Sequence, residues 1–392
     1  MTALRAFVAD LLEGEGAMVE AVEPDGLDVM APDRQRAEYG WPELARLSFG
    51  AVAPSGCIPI GLEDDWLDRL GGLLGDRGRV AERQLPIPDN AAPPNDSERL
   101  IDGAMHLSNA IWRLNSVTST WSRCLLLAFR YTAISDEKRD GLIWLGFNCS
   151  TGAVLGEDLT ASLRRQIDQA ETWQPPSPEA SQAAGPLWAA DIIATRCGPL
   201  LDDRVRSDLE PFLAAMRRRL DRDRRRVHAY HDDLRRAALA KLAGLEGAAG
   251  KKASEKAESA IKRERSRIAT IEREYASKLQ DLRNNYALAV KVEWVQALVV
   301  IAPVQRHTLL VRRRKGERSI AVDWHATVRR MEPALCDWGD GLGIERIVCD
   351  EHLHLTDPAG QAPCSACSKA YCRACHPAAC PRCRKPSAVR PL

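Results

Sequence analysis

In CDEHLHLTDPAGQAPCSACSKAYCRACHPAACPRC, residues 349–383, cysteines and one histidine recur as pairs with two residues between partners. The pairs are Cys349/His352, Cys364/Cys367, Cys372/Cys375 and Cys380/Cys383. A two-residue gap lets a tight turn aim both side chains at one ion, at about 2.3 Å for Zn–S. Eight such ligands suffice for two tetrahedral Zn²⁺ ions, with no coordination position left open for a substrate. A segment this short and this poor in apolar residues lacks a core of its own and folds on metal. Residues 336–392 therefore read as a structural zinc-binding domain.

The central Cys364–Cys375, with spacing C-x2-C-x4-C-x2-C, resembles the middle of FYVE and PHD zinc modules. The resemblance spans residues 349–383 and is one of spacing alone. It implies a cross-brace, with Cys349, His352, Cys372 and Cys375 at one ion and Cys364, Cys367, Cys380 and Cys383 at the other. The basic FYVE lipid signature is absent, the PHD histidine is Cys372 here, and the RING spacing between middle pairs is not met. Only four residues separate the last two pairs, so a sequential pairing (349/352/364/367, then 372/375/380/383) fits as well. Cys336, His354 and His376 compete for ligand positions. Pro363-Cys364-x2-Cys367 matches half of the zinc deaminase pattern. The upstream H-x-E that supplies the proton shuttle is missing, and further cysteines would close the site.

Outward from the tail, 392 residues with 45% hydrophobic and 28% charged composition suit a folded protein of two or three domains. The other cysteines, Cys57, Cys124, Cys149, Cys197 and Cys336, are scattered singly, as in a reducing compartment. No stretch reaches the roughly 18 apolar residues of a membrane span. Acidic residues interrupt the apolar run at the N-terminus, so it lacks a secretory layout. Arginine exceeds lysine, 44 to 11, as GC-rich bacterial coding gives. The expectation is a cytoplasmic, bacterial protein without a membrane partner.

The fold class reads as α+β. Residues 1–172 form a mixed α/β body. A helix spans Ala3–Leu12, and Pro24-Asp25-Gly26 turns a strand pair. Further helices are expected at Pro42–Leu47, Glu63–Leu74 and Leu159–Ile167. Strands are expected at Ile111–Val117, Ser122–Tyr131 and Gly141–Cys149, the last two as an antiparallel meander about Ser135–Asp140. Strands without βαβ alternation exclude a doubly wound sheet. Residues 173–203 form a Pro/Ser/Ala linker and a short helix. Residues 204–291 read as an antiparallel coiled-coil hairpin. Met216, Leu220, Val227, Tyr230, Leu234 and Ala237 form one stripe. Ile261, Ile268, Ile271, Tyr275, Leu279, Leu282 and Tyr286 form the other, with the break at Gly244–Gly250. Residues 292–335 form a second meander: Val292–Ala302 ended by Pro303, then Thr308–Arg313 and Ser319–Trp324 about the turn Lys315-Gly316-Glu317. Because this meander continues directly from the returning arm, the hairpin reads as an insertion in one sheet-containing body.

Segments 204–243 and 251–291 together hold 23 Lys/Arg against 12 Asp/Glu, whereas the whole chain carries only +1. Arg217, Arg218, Arg219, Arg224, Arg225 and Arg226 form the densest run, with Arg312, Arg313 and Arg314 in the following meander. A charge run is commonly a solvated helix face. On a long projection it also suits phosphates or an acidic protein surface. Aromatic content of 5% gives no support to single-strand stacking. Weaker motifs dissolve on inspection. Gly250-Lys251-Lys252 lacks the P-loop's first glycine and its Ser/Thr. His228, His231, Asp232 and Asp233 suit a solvated face. The paired acids Asp64-Asp65 and Asp136-Glu137 suit capping and turns. No catalytic constellation or small-molecule site is evident.

The expected function is a non-enzymatic, two-zinc adaptor. It would dock a protein, such as a nucleic-acid ATPase, or nucleic acid itself, through its basic hairpin and tail. The alternatives are a RING-like module recruiting a transfer enzyme, or an active site within residues 1–172.

Overall fold

A computed structural model describes residues 3–50, 53–61, 66–75, 79–88, 96–169, 175–249, 255–314 and 316–386. Asp64, Asp65, Gly250–Ser254 and Lys315, invoked above, lie outside the described residues. Helices and sheets coexist as an α+β protein. The chain divides into two compact units, residues 1–80 and 81–392.

In the first unit, helix α1 (Ala3–Gly14) precedes the hairpin β1 (Met18–Val22) and β2 (Gly26–Met30). Helix α2 (Asp33–Tyr39), strands β3 (Ala45–Ser48) and β4 (Ile58–Pro59) and helix α3 (Trp66–Leu74) follow, with sheet order β1-β2-β3-β4. The helix expected at Pro42–Leu47 is instead strand β3. Its Ala45 and Leu47 are buried with Leu27 and Val29 in one core, and cross-strand burial outweighs the weak helical preference of a short segment. Gly40, at φ 67°, ends α2 in the left-handed conformation.

The second unit is built on β7 (Ile111–Ile134), a strand of 24 residues. Strand β5 (Val80–Gln84), helix α4 (Ser97–Ala104) and the short β6 (His106–Leu107) come first. Strands β8 (Lys138–Asn148) and β9 (Val154–Leu155), then helices α5 (Glu157–Asp168), α6 (Pro178–Ala184), α7 (Ala190–Ala249) and α8 (Glu255–Asn285), come after it. The chain continues as β10 (Ala289–Arg313), β11 (Gly316–His325), β12 (Arg330–Met331), β13 (Glu345–Val348) and β14 (Leu355–Thr356), with a single 3₁₀ turn at Pro358–Gln361.

One sheet runs in the order β12-β11-β10-β7-β8-β9, with β5 pairing β10. The two expected meanders are thus parts of a single sheet, and the helical hairpin enters the chain between β9 and β10, which lie on either side of β7 and β8 in that sheet. Strand β10 pairs β7 from Ala289↔Ile134 to Arg312↔Ile111. Side chains alternate across this pair. Leu125, Leu127, Tyr131 and Ala133 pack with Leu200, Val205 and Leu209 of α7. Cys124 and Leu126 pack with Leu159, Leu163 and Ile167 of α5. Both faces are covered, so Cys124–Phe129 reads as an unbroken apolar run where a half-exposed strand would alternate.

Pro303 does not end a strand; it lies inside β10. The Ile301 carbonyl accepts from the Leu85 N–H at 2.9 Å, so positions 301 and 303 turn their backbone groups away from β7. β11 pairing begins only at Val304. The missing proline N–H therefore falls at a gap in the ladder, where a strand tolerates it.

The hairpin is antiparallel. Tyr286 donates to Asp223 at 2.7 Å, Lys241 to Glu264 at 2.9 Å and Arg265 to Glu246 at 2.8 Å. The 31 residues of α8 span about 46 Å. Helix α7 begins earlier than expected and passes through Pro199 and Pro211. It continues through Gly244 and Gly247 to Ala249, so these glycines do not break it. The buried seam of the paired arms is His231 and Ala238 against Glu264 and Ile271. Tyr230 and Ala237, placed in the stripe by hydrophobicity, are exposed. A buried His and a buried Glu hold heptad positions that an apolar count passes over.

Candidate metal centre

The tail is seated on the far end of the large sheet. Val348 and Leu355 share a core with Leu309, Val311, Ile320 and Val322. Arg346, fully buried, fixes the approach to the tail. Its guanidinium donates to the carbonyls of Ala334, Leu335, Gly341 and Gly343 and pairs with Asp357 at 3.2 Å. A buried arginine is tolerable only with its donors used in this way.

Three turns in the tail share one backbone form. The N–H of Cys349, Cys364 and Cys380 donates to the carbonyl five residues on, in His354, Lys369 and Lys385 respectively. The fourth residue on, Leu353, Ser368 or Arg384, is left-handed, with φ of 55°, 55° and 56°. This closes each turn so that sulfur and backbone N–H groups meet. The His352 and His354 amides both donate to Cys349 Sγ at 3.3 Å. The Ala366 amide approaches Cys364 Sγ at 3.5 Å.

Two groups of side chains could each hold a metal ion: Cys349, His354, Cys372 and Cys375, and Cys364, Cys367, Cys380 and Cys383. Within each group the ligand atoms all lie within 4.8 Å of one another. Sulfur separations are 3.7 Å for Cys349–Cys375, 3.6 Å for Cys364–Cys383 and 3.7 Å for Cys367–Cys380. A tetrahedron with 2.3 Å metal–sulfur bonds has edges of about 3.8 Å, whereas a disulfide would require about 2.05 Å. The cysteine spacing thus fits a tetrahedral ion.

The backbone already favours thiolate at three positions, Cys349 among them, where burial is outweighed by the His352 and His354 amides. Amides of Ala366 and Cys367 hold Cys364 down at about 6, and that of Cys383 leads the lowering of Cys380. With one thiolate formed, its neighbours are pushed up: burial and the sulfurs of Cys372 and Cys349 raise Cys375. A divalent cation would relieve that repulsion.

The geometry selects His354 where the two-residue rhythm selects His352. Leu353 reverses the chain between them, leaving both imidazoles beside one sulfur. His354 Nδ1 lies 3.3 Å and His352 Nδ1 3.4 Å from Cys375 Sγ. Only His354 also reaches Cys372, at 3.9 Å; His352 groups with Glu351 and Cys375. His354→Ala is therefore expected to lower the metal content by about one ion per chain, whereas His352→Ala retains it. Metal analysis of the two purified variants separates them, and the reverse outcome restores His352 as the ligand. The remaining rivals have other partners. Cys336 Sγ donates to the Trp338 carbonyl at 2.9 Å, and burial pushes its thiol up to about 12. His376 faces Glu351 at 3.5 Å.

The arginines divide into two sets. Arg219 is held by Asp136, at 2.5 Å, and by Glu137, which accounts for that acid pair at the β7–β8 turn. Arg312 lies near Glu317, and Arg313 and Arg314 flank Asp350. By contrast Arg217, Arg218, Arg224, Arg225 and Arg226 are exposed, and no ion pair engages them among the described residues. Of the face expected to be solvated, Asp232 and Asp233 bind Arg236 and His228 Nδ1 meets the Tyr275 hydroxyl at 3.1 Å, whereas His231 is buried.

One cluster went unseen in the sequence because its members are distant along the chain. Arg306 donates twice to Asp323 at 2.8 Å. Asp323 also contacts Ser122 at 2.7 Å and accepts from Asn148 at 3.0 Å. Asn148 and Thr151 donate to Glu332 at 2.7 and 2.6 Å, and His325 Nε2 lies 3.2 Å from it. Burial, then the charge of Asp323, push the Glu332 carboxyl above its usual range. Asp323 and Glu332 are fully buried and His325 nearly so. Its acids are enclosed and Arg306 is mostly so, which makes the network a polar lock joining strands β7, β8, β10 and β11 to Glu332, the residue after β12. The strand runs in which these residues sit gave no signal for it beyond isolated polar residues.

No helix among the described residues is long and apolar enough to cross a membrane. In comparison with known proteins, no family model matches the chain, and no significant match is found to a curated protein or to a solved structure.

Proposed function

We propose that this protein is a zinc-stabilised adaptor whose helical hairpin docks the phosphate backbone of a nucleic acid. In this reading the two tail clusters each bind Zn²⁺ in a cross-brace, because the members of each group interleave along the sequence. Four protein ligands close each ion to substrate, so the zinc shapes the tail and performs no chemistry. The observation that carries the docking role is the row of unpaired, exposed arginines on α7: Arg217, Arg218, Arg224, Arg225 and Arg226. Guanidinium groups suit phosphate through their fixed fork of donors, and a projecting helix presents them without a cavity. Nothing in the row reads bases, so binding is independent of sequence.

A salt titration of binding to a mixed-sequence duplex tests this. Five phosphate contacts give a log–log slope of about −4 to −5. Replacing all five arginines by Ala is expected to remove most of that slope, while Arg312→Ala leaves it unchanged. Absence of binding at low salt would falsify the nucleic-acid reading and leave an acidic protein surface as the partner of the same row.

A further inference from the structure

Between the first half of α7 and the loops that lead into the tail lies a cleft of about 750 Å³, within the range of small-molecule sites. Val154, Pro199, Leu200 and Ile344 give it apolar walls. Its polar groups are dominated by acceptors. Asp340, Glu345 and the already paired Asp203, Asp337 and Asp357 face it, against the one cation Arg196. Arg196 is committed elsewhere, stacking on Trp188 and donating to the Gly152 carbonyl at 3.0 Å. Among the described residues no ion pair engages Asp340 or Glu345. Asp340 only accepts the Leu342 amide, at 3.0 Å.

Helix α7 adds an acceptor of a second kind. Pro199 lies inside the helix and has no N–H, so the Thr195 carbonyl four residues earlier loses its intrahelical donor. The proline ring displaces that carbonyl on its own side of the helix, and Thr195 and Pro199 both line the cleft. A cleft with apolar walls, two carboxylates that no ion pair engages among the described residues and a carbonyl deprived of its usual helical donor offers acceptors and negative charge in excess. Its complement is a molecule that brings donors and positive charge on an apolar body.

From this we infer that the cleft binds an organic cation, an amine or guanidinium carried on a hydrophobic group. The ion pair is made with Asp340 and Glu345, and the apolar body lies along Pro199, Leu200 and Ile344. Buried apolar area supplies affinity, and the carboxylates select the charge. This is independent of the docking role of the hairpin, whose arginines lie further along α7.

Calorimetric titration of the full, metal-loaded chain with 4-phenylbutylamine, 4-phenylbutanol and 4-phenylbutyrate tests the inference. The amine is expected to bind about tenfold more tightly than the alcohol, and the carboxylate not measurably, from an opposite-charge contact at partly screened distance. Asp340→Asn with Glu345→Gln should bring amine and alcohol to equal affinity. Leu200→Trp should abolish binding of both by filling the cleft. Equal affinity of amine and alcohol for the unaltered chain, preference for the carboxylate, or no binding of the amine at millimolar concentration each overturns the inference. So does an amine that binds Leu200→Trp unchanged, since it is then held elsewhere.

Discussion

Chelation of the native protein is expected to release about two zinc ions per chain and unfold the tail, leaving the large sheet intact. Apparent binding energies of structural Zn²⁺ sites run to about 10–16 kcal/mol, far above what the tail's few buried side chains supply. The tail's apolar anchorage on the core beneath it is Val348, Leu353 and Leu355; beyond Leu355 the chain is held by turns, a few side-chain hydrogen bonds and sulfur. Without metal, the sulfurs of Cys364 and Cys380 are left with only thiol contacts to Cys383 and Cys367, at 3.6 and 3.7 Å, which are too weak to hold the turns closed. The measurement is native mass spectrometry for stoichiometry, with limited proteolysis before and after a strong chelator. New cleavages should fall within residues 357–386 and none within β7 or β10. A chain that holds no zinc, or a tail as resistant after chelation as before, refutes the assignment. Cys364→Ser should reproduce half of the metal loss.

The second large effect is expected at Asp323. Asp323→Ala should lower the stability of the second unit by about 3–5 kcal/mol, the usual cost of stranding one member of a buried ion pair. Arg306 would lose its two bonds at 2.8 Å, and Ser122 and Asn148 would each lose a partner in a region with no water access. Asp323→Asn keeps the shape and one acceptor, so it should fall between wild type and Ala. Changing Arg306 and Asp323 together to apolar residues should recover part of the loss, because the uncompensated charge is gone. Urea unfolding monitored by far-ultraviolet dichroism gives the midpoints. A loss below about 1 kcal/mol for Asp323→Ala would show the pair to be solvent-screened.

How far the sequence carried differs between regions, for physical reasons. The tail was legible because ligand spacing is local: a turn of four residues defines which sulfurs can share an ion. Even there the choice of His354 over His352 depended on the left-handed Leu353, which no spacing reveals. The helical hairpin was legible by its period. Its seam was misread by one position, because His231 and Glu264 are buried through pairing and not through hydrophobicity. The long strands were read as shorter pieces. Thr118, Ser119 and Thr120 fell in the gap between two expected strands, and Pro303 looked like an end. Both are accommodated by pairing with each other's strand far along the chain: Thr118 partners Arg306, and Pro303 partners Trp121. The Asp323–Glu332 network and the cleft by Pro199 were not legible, since each gathers residues from elements that only tertiary packing brings together.

The insertion of α7 and α8 ahead of β10, which pairs with the earlier strand β7, also bears on how the chain finds its structure. Ile134 and Ala289 are register partners, yet the intervening segment must be ordered or looped out before they meet. Closing such a long flexible loop carries a loop entropy that grows with its length, and sheets built on distant contacts form slowly. Helices form in about a microsecond and zip locally. Once α7 and α8 lie antiparallel, their roots bring the two strand ends together and most of the separation is already spanned. The hairpin thus acts as a folding clamp as well as a projection, and the sheet's register depends on helices that lie largely outside it.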